Sequence, residues 1–113
     1  MDPIFFVGAG PGDPDLITVR GLALVESADL LMYTGSLVNP ELVRRSRAPE
    51  KVDSHGMAFR EILSRLEEAA RGGKRVVRLH SGDPSLYGAE IEQILALEDR
   101  GIPSVVVPGV SSL

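Results

Sequence analysis

Apolar residues in this chain gather into short runs, and between the runs they recur at helical spacing. Ile4-Phe5-Phe6-Val7 is the first run, closed by Gly8-Ala9-Gly10-Pro11-Gly12. A short run rich in β-formers, with no polar alternation, predicts a strand buried on both faces, as in parallel sheets. Asp13 is placed to cap a helix whose first residue is Pro14, where a missing N–H costs nothing. Leu16, Val19, Leu22 and Ala23 would form its buried face. Leu30-Leu31-Met32-Tyr33 predicts a second strand, broken by Thr34-Gly35-Ser36. A short helix is expected over residues 40–47, and a weak third strand over 51–53.

Phe59, Ile62, Leu63, Leu66, Ala69 and Ala70 give the clearest helical period in the chain. Gly72-Gly73 follows as a helix stop. Arg75 to His80 predicts a fourth strand. A third long helix should run to about Arg100, burying Ile91, Ile94 and Leu95. Val105-Val106-Val107 is the fifth strand, ended by Pro108-Gly109. Five alternations of strand and helix predict one three-layer α/β domain over residues 1–113: a parallel sheet flanked by helices, with right-handed crossovers.

Gly-Asp-Pro occurs twice, at 12–14 and 82–84, each time directly after a strand. Sites on such sheets lie outside the carboxyl ends of the strands. If both loops line one cleft, the first and fourth strands must be neighbours, and the strand order 3-2-4-1-5 provides this. The first loop is not a dinucleotide fingerprint. Gly8-x-Gly10-x-Gly12 would need a glycine at 13, and Asp13 puts a negative charge where a pyrophosphate would sit. A tight turn that lets backbones pack closely explains the glycines equally well. Asp83 reads as a helix cap or as a contact for a cationic ligand or ribose hydroxyls. His80 fits a strand-end histidine held by backbone better than a base, and His55, in Asp53-Ser54-His55-Gly56-Met57, is open to a base or substrate contact that no other residue pattern supports. Arg44-Arg45-x-Arg47 fits a solvated face.

Composition narrows the chemistry. With 113 residues, 43% hydrophobic and 25% charged, the chain has globular usage. The absence of cysteine excludes a disulfide scaffold, a zinc knuckle and a thiol nucleophile, and two histidines leave little for a metal site. The net charge of −4 argues against a general nucleic-acid binder. The longest uncharged stretch, Gly101 to Leu113, is shorter than the ~20 residues of a membrane span. Asp2 follows Met1 with no basic or apolar leader, so a cytoplasmic protein is expected.

Four segments together resemble the tetrapyrrole methyltransferases that use S-adenosylmethionine. They are Val7-Gly8-Ala9-Gly10-Pro11-Gly12-Asp13-Pro14-Asp15-Leu16-Ile17-Thr18, Ala28-Asp29-Leu30-Leu31-Met32-Tyr33, Ser81-Gly82-Asp83-Pro84-Ser85-Leu86-Tyr87-Gly88 and Val107-Pro108-Gly109-Val110-Ser111-Ser112. Tyr33-Thr34-Gly35-Ser36-Leu37-Val38 and His80-Ser81-Gly82-Asp83 are most similar to the precorrin-4 C11-methyltransferases of cobalamin synthesis. The resemblance implies two α/β domains with the cofactor between them, of which this chain matches the N-terminal one. It implies cofactor contacts at Pro11, at Ser81, Gly82, Asp83 and Leu86, and at Ser111 and Ser112. It names no catalytic residue and no metal ligand. It further implies a tetrapyrrole substrate and a homodimer. Several relatives carry an acidic residue in the loop after the second strand; Thr34-Gly35-Ser36 has none. The alternatives are another acceptor within the superfamily (a different precorrin, a diphthine precursor, ribosomal RNA) or an inactive single-domain fragment.

Overall fold

The computed structural model describes residues 1–9, 17–35, 38–81 and 87–109. Five strands form one sheet: β1 (Ile4–Gly8), β2 (Leu30–Tyr33), β3 (Glu50–Asp53), β4 (Val76–His80) and β5 (Ser104–Val107). Their order is β3-β2-β4-β1-β5, as expected, and every pairing is parallel. The helices between them are α1 (Val19–Ser27), α2 (Pro40–Arg45), α3 (Phe59–Arg71) and α4 (Tyr87–Asp99).

The sheet carries a core on each face. Ile4, Phe6, Leu30, Met32 and Val76 pack with α3, Leu97 and Ile102. Val7, Leu31, Val77 and Leu79 pack with Val25, Val38 and Leu42 on the α1 and α2 side. β4 is buried along its whole length, which is why its neighbours read as unbroken apolar runs. β3 alternates because it is an edge with one face in water.

α3 follows its predicted stripe, with Ile62, Leu63, Leu66, Ala69 and Ala70 buried. Only Phe59, in the first turn, stands 44% exposed. Gly72 closes the helix by donating to the Glu68 carbonyl at 3.1 Å, and Gly73 takes a φ of 78°.

Two helices differ from expectation. α1 is capped by Thr18, whose backbone is extended and whose hydroxyl accepts the Gly21 N–H at 3.0 Å. The helix therefore starts later than Asp13-Pro14 suggested; Asp13, Pro14 and Leu16 lie outside the described residues. Val19 is 89% exposed and Ala23 is exposed, whereas Gly21 and Val25 are buried. A Cβ on Gly21 would stand 3.0 Å from Val7 Cγ1, so the helix approaches the sheet through a residue with no side chain. Counting apolar side chains misses such a face. Thr18→Ala should lower stability by about 1 kcal/mol, read as a shifted urea midpoint at unchanged slope.

In α4, Ile91 and Leu95 are exposed, against expectation, and Ile94 is partly buried. The line facing the sheet is Glu90, Gln93, Ile94 and Leu97, with Gln93 and Leu97 buried. Its polar members meet a polar position in β4, so the apolar residues alone give the wrong phase.

Candidate site at the carboxyl ends of the strands

β4, β1 and β5 lie side by side, with Gly8 opposite His80 and Val7 opposite Val107. The Ala9 N–H extends the ladder to the His80 carbonyl at 2.8 Å. The three strands whose carboxyl ends lead into the Gly-Asp-Pro loops and the Pro-Gly-Val segment are thus adjacent. Ser81, half-buried, stands directly after β4. Pro11, Gly82, Asp83, Leu86, Ser111 and Ser112 lie outside the described residues.

Two residues of β4 break the core pattern. Val76, Arg78 and His80 alternate onto the α3–α4 face, and Arg78 lies in register between Phe6 and Met32, both fully buried. Arg78 is only 3% exposed. Its Nε donates to Gln93 Oε1 at 3.4 Å, while Nη1 is buried and meets no acceptor. Desolvation pulls its pKa down, opposed by the charges of Glu90 and Asp53. The guanidinium nonetheless stays charged, since its ordinary pKa lies so far above neutrality. A buried, incompletely paired charge is costly, which makes Arg78 a candidate for a ligand contact.

His80, 5% exposed, is pushed down to about 4, first by burial and then by the charge of Arg78. It is a neutral imidazole at physiological pH.

The loops after β2 and β3 are tied together. Asp53 Oδ1 accepts the N–H groups of Gly35 at 2.8 Å and His55 at 2.9 Å. The His55 amide, then that of Gly35, holds this exposed carboxyl below its usual pKa. Ser54 donates its backbone N–H to the Tyr33 carbonyl at 2.7 Å, and its hydroxyl meets Thr34 Oγ1 at 3.2 Å. Gly35 sits at φ 35°, with the His55 Cβ 3.4 Å from where its own would be. The loop without an acidic residue is thus reached by a carboxylate from β3, which serves to hold backbone.

These groups surround a cavity of about 310 Å³. Arg78, His80 and Ser81 supply one wall, Glu90 and Gln93 of α4 another, and the turn around Ser54 and His55 the rim. The Glu90 Oε2 is buried and meets no donor. A cavity of about 370 Å³ at the opposite end of the sheet has a different character. There Glu50 pairs with Arg65 at 3.2 Å and Lys74 at 3.7 Å, so its charges are already matched. Among the described residues, no group of three or more His, Asp or Glu is placed to hold a metal ion.

Arg78, Glu90 and Gln93 were not singled out by sequence reasoning. The available signal was a charged residue in the middle of a run between two glycine-containing breaks, in a strand flanked by helices on both sides.

The family Tetrapyrrole (Corrin/Porphyrin) Methylases matches residues 3–113. The cobalt-precorrin-4 C(11)-methyltransferase of Priestia megaterium is 44% identical over 97% of this chain and 43% of that protein. A solved cobalt precorrin-4 methyltransferase, described as a cobalamin biosynthetic enzyme, superposes with a TM-score of 0.90 at 44% identity, covering 97% of this chain and 46% of that one. A uroporphyrin-III C-methyl transferase from Thermus thermophilus, solved with S-adenosyl homocysteine, gives 0.82 at 38% identity, over 98% of this chain and 46% of that one. The chain therefore spans less than half the length of these relatives. With the sheet order, the adjacent strand ends and a match along nearly its whole length, the chain belongs to the tetrapyrrole methylases.

Proposed function

We propose that this chain is the N-terminal α/β domain of an enzyme that transfers a methyl group from S-adenosylmethionine to C11 of precorrin-4 or its cobalt form, in cobalamin synthesis. The observation that carries this reading is the adjacency of β4, β1 and β5, which starts three of the four family-like segments from neighbouring strand ends. The likeness to a C11-methyltransferase at 44% identity supports the acceptor.

The cofactor, when bound, supplies a methyl already made electrophilic by its positive sulfur, and the reduced tetrapyrrole supplies an electron-rich carbon. Little acid–base machinery is then needed. A neutral His80 and a chain without cysteine suit that demand. The protein's part is to hold carbon, methyl and sulfur in line and away from water, worth up to ~7–11 kcal/mol of the barrier. The orphaned Nη1 of Arg78 and Oε2 of Glu90 show that the cavity has polar groups to offer a ligand.

The reading includes a second α/β domain that closes the cleft, assembly as a homodimer and a cytoplasmic location. No helix of the described residues is long and apolar enough to cross a membrane. Pro11, Ser81, Gly82, Asp83, Leu86, Ser111 and Ser112 are the proposed cofactor contacts.

Titration calorimetry of the full-length protein with S-adenosylhomocysteine tests the cofactor assignment. Asp83→Ala should weaken that binding at least tenfold while costing no more stability than a lost helix cap, about 1 kcal/mol. A variant that melts lower but binds normally would make Asp83 a cap only.

A further inference from the structure

β2 and β3 end at the part of the sheet that supplies none of the proposed cofactor contacts, all of which follow β1, β4 or β5. A side chain ties that part together. Asp53 Oδ1 accepts the N–H of His55, two residues on, and the N–H of Gly35, eighteen residues earlier. The first bond is a local turn of the kind aspartate often makes. The second crosses from β3 to the loop after β2. Strand pairing does not need it, because the ladder already runs from Leu30 opposite Glu50 to Tyr33 opposite Asp53. The Ser54 N–H extends that ladder to the Tyr33 carbonyl. Asp53 is also exposed, so its side chain adds nothing to the core.

The loop is set from its own side as well. Gly35 takes a φ of 35°, which residues with a side chain rarely adopt, and a Cβ there would stand 3.4 Å from that of His55. The Ser54 hydroxyl donates to the Tyr33 carbonyl at 3.1 Å, so Thr34 Oγ1 is the donor in its 3.2 Å contact with Ser54 Oγ. Backbone and side chain of Thr34-Gly35 are thus both held from the end of β3. The segment separates two cavities. Thr34 borders the one that holds Arg78, on the α3–α4 face. Gly35, with Tyr33, Val38 and Val43, borders another of about 390 Å³ on the α2 side.

We infer that Asp53 is a positioning residue for the methyl acceptor: through the Gly35 and His55 amides it fixes the Thr34-Gly35 wall against which the tetrapyrrole is held. This rests on the methyltransferase reading above and deepens it. The donor belongs to the ends of β1, β4 and β5, which leaves the end of β2 and β3 to the acceptor. Transfer requires the ring carbon in line with methyl and sulfur, and a displacement of about 1 Å can cost on the order of 100-fold in rate. Asp53 acts on the reaction only through the backbone it holds.

The test compares Asp53→Ala, Asp53→Asn and Gly35→Ala in the full-length protein. Each is followed by steady-state turnover of precorrin-4 with S-adenosylmethionine, calorimetry with S-adenosylhomocysteine, and urea unfolding. Asp53→Ala should lower kcat/KM for the tetrapyrrole by about 10- to 100-fold and leave S-adenosylhomocysteine affinity within about twofold. Its urea midpoint should stay close to that of the wild type. Asparagine keeps a side-chain oxygen that can accept both N–H groups, so Asp53→Asn should restore kcat/KM to within about threefold of the wild type. Gly35→Ala disturbs the same peptide from the other side and should reproduce the loss seen with Asp53→Ala. Normal turnover by Asp53→Ala would overturn the inference, as would an equal loss of S-adenosylhomocysteine affinity. A large fall in its urea midpoint would make Asp53 a structural residue and overturn it too. Asp53→Asn as impaired as Asp53→Ala would assign the effect to the charge that Asp53 presents to Arg78, against the inference. A wild type that neither binds S-adenosylhomocysteine nor methylates precorrin-4 refutes the methyltransferase reading itself.

Discussion

Phe6→Ala is expected to destabilise the protein by about 3–5 kcal/mol, the range for deleting a buried aromatic ring. Phe6 has no exposed surface, and β1 lies between β4 and β5 with Arg78 and Val106 in register beside it. Its core includes Ile4, Met32, Leu66 and Leu97, residues of β1, β2, α3 and α4. Truncation there leaves a cavity that rigid neighbours on several sides fill poorly. Against a usual domain stability of ~5–15 kcal/mol, this loss removes from about a fifth of the stability to nearly all of it. Phe59→Ala is the matched control, since Phe59 is 44% exposed in the first turn of α3. Urea unfolding of both variants should show a large midpoint shift for Phe6 and a small one for Phe59. Similar shifts would mean that β1 is not the packed centre of the sheet.

The second large effect is on pH dependence. His80 titrates near 6.5 when unfolded and at about 4 in the folded chain, because burial and Arg78 both oppose its charging. Between those values the unfolded chain binds a proton that the folded one does not. Stability contributed by neutral His80 is therefore fully present above pH 6.5 and is lost as pH falls toward 4. The full difference is on the order of 3 kcal/mol, at 1.36 kcal/mol per unit. His80→Gln removes this titration. Urea midpoints collected from pH 7 to pH 5, above most carboxylate titrations, should fall steeply for the wild type and more gently for the variant. Parallel curves would place His80 in a more solvated setting than the fold gives it.

Legibility followed the physics of each element. The sheet order could be argued before any coordinates because two Gly-Asp-Pro loops that line one cleft would need neighbouring strands, and β1 does pair with β4, Gly8 opposite His80. α3 was readable because its buried positions are all apolar. α1 and α4 were misphased for opposite reasons. In α1 the contact with Val7 is made by Gly21, which contributes nothing to a hydrophobic pattern. In α4 the inward line contains Glu90 and Gln93, which count as outward residues until Arg78 is known to lie beneath them. That same exchange of polar for apolar groups across the interface between β4 and α4 builds the cavity. The proposed contacts at Pro11, Gly82, Asp83, Leu86, Ser111 and Ser112 rest on motif likeness, because they lie in the segments beyond the described strand ends.

The most direct measurement is the position of the transferred methyl. The full-length protein, incubated with precorrin-4 or its cobalt form and S-adenosylmethionine carrying a ¹³C-methyl group, should give one labelled product. Its carbon spectrum should place the new methyl on C11, with one S-adenosylhomocysteine formed per methyl transferred. A labelled methyl on any other ring position, or S-adenosylhomocysteine formed without a methylated tetrapyrrole, would contradict the account.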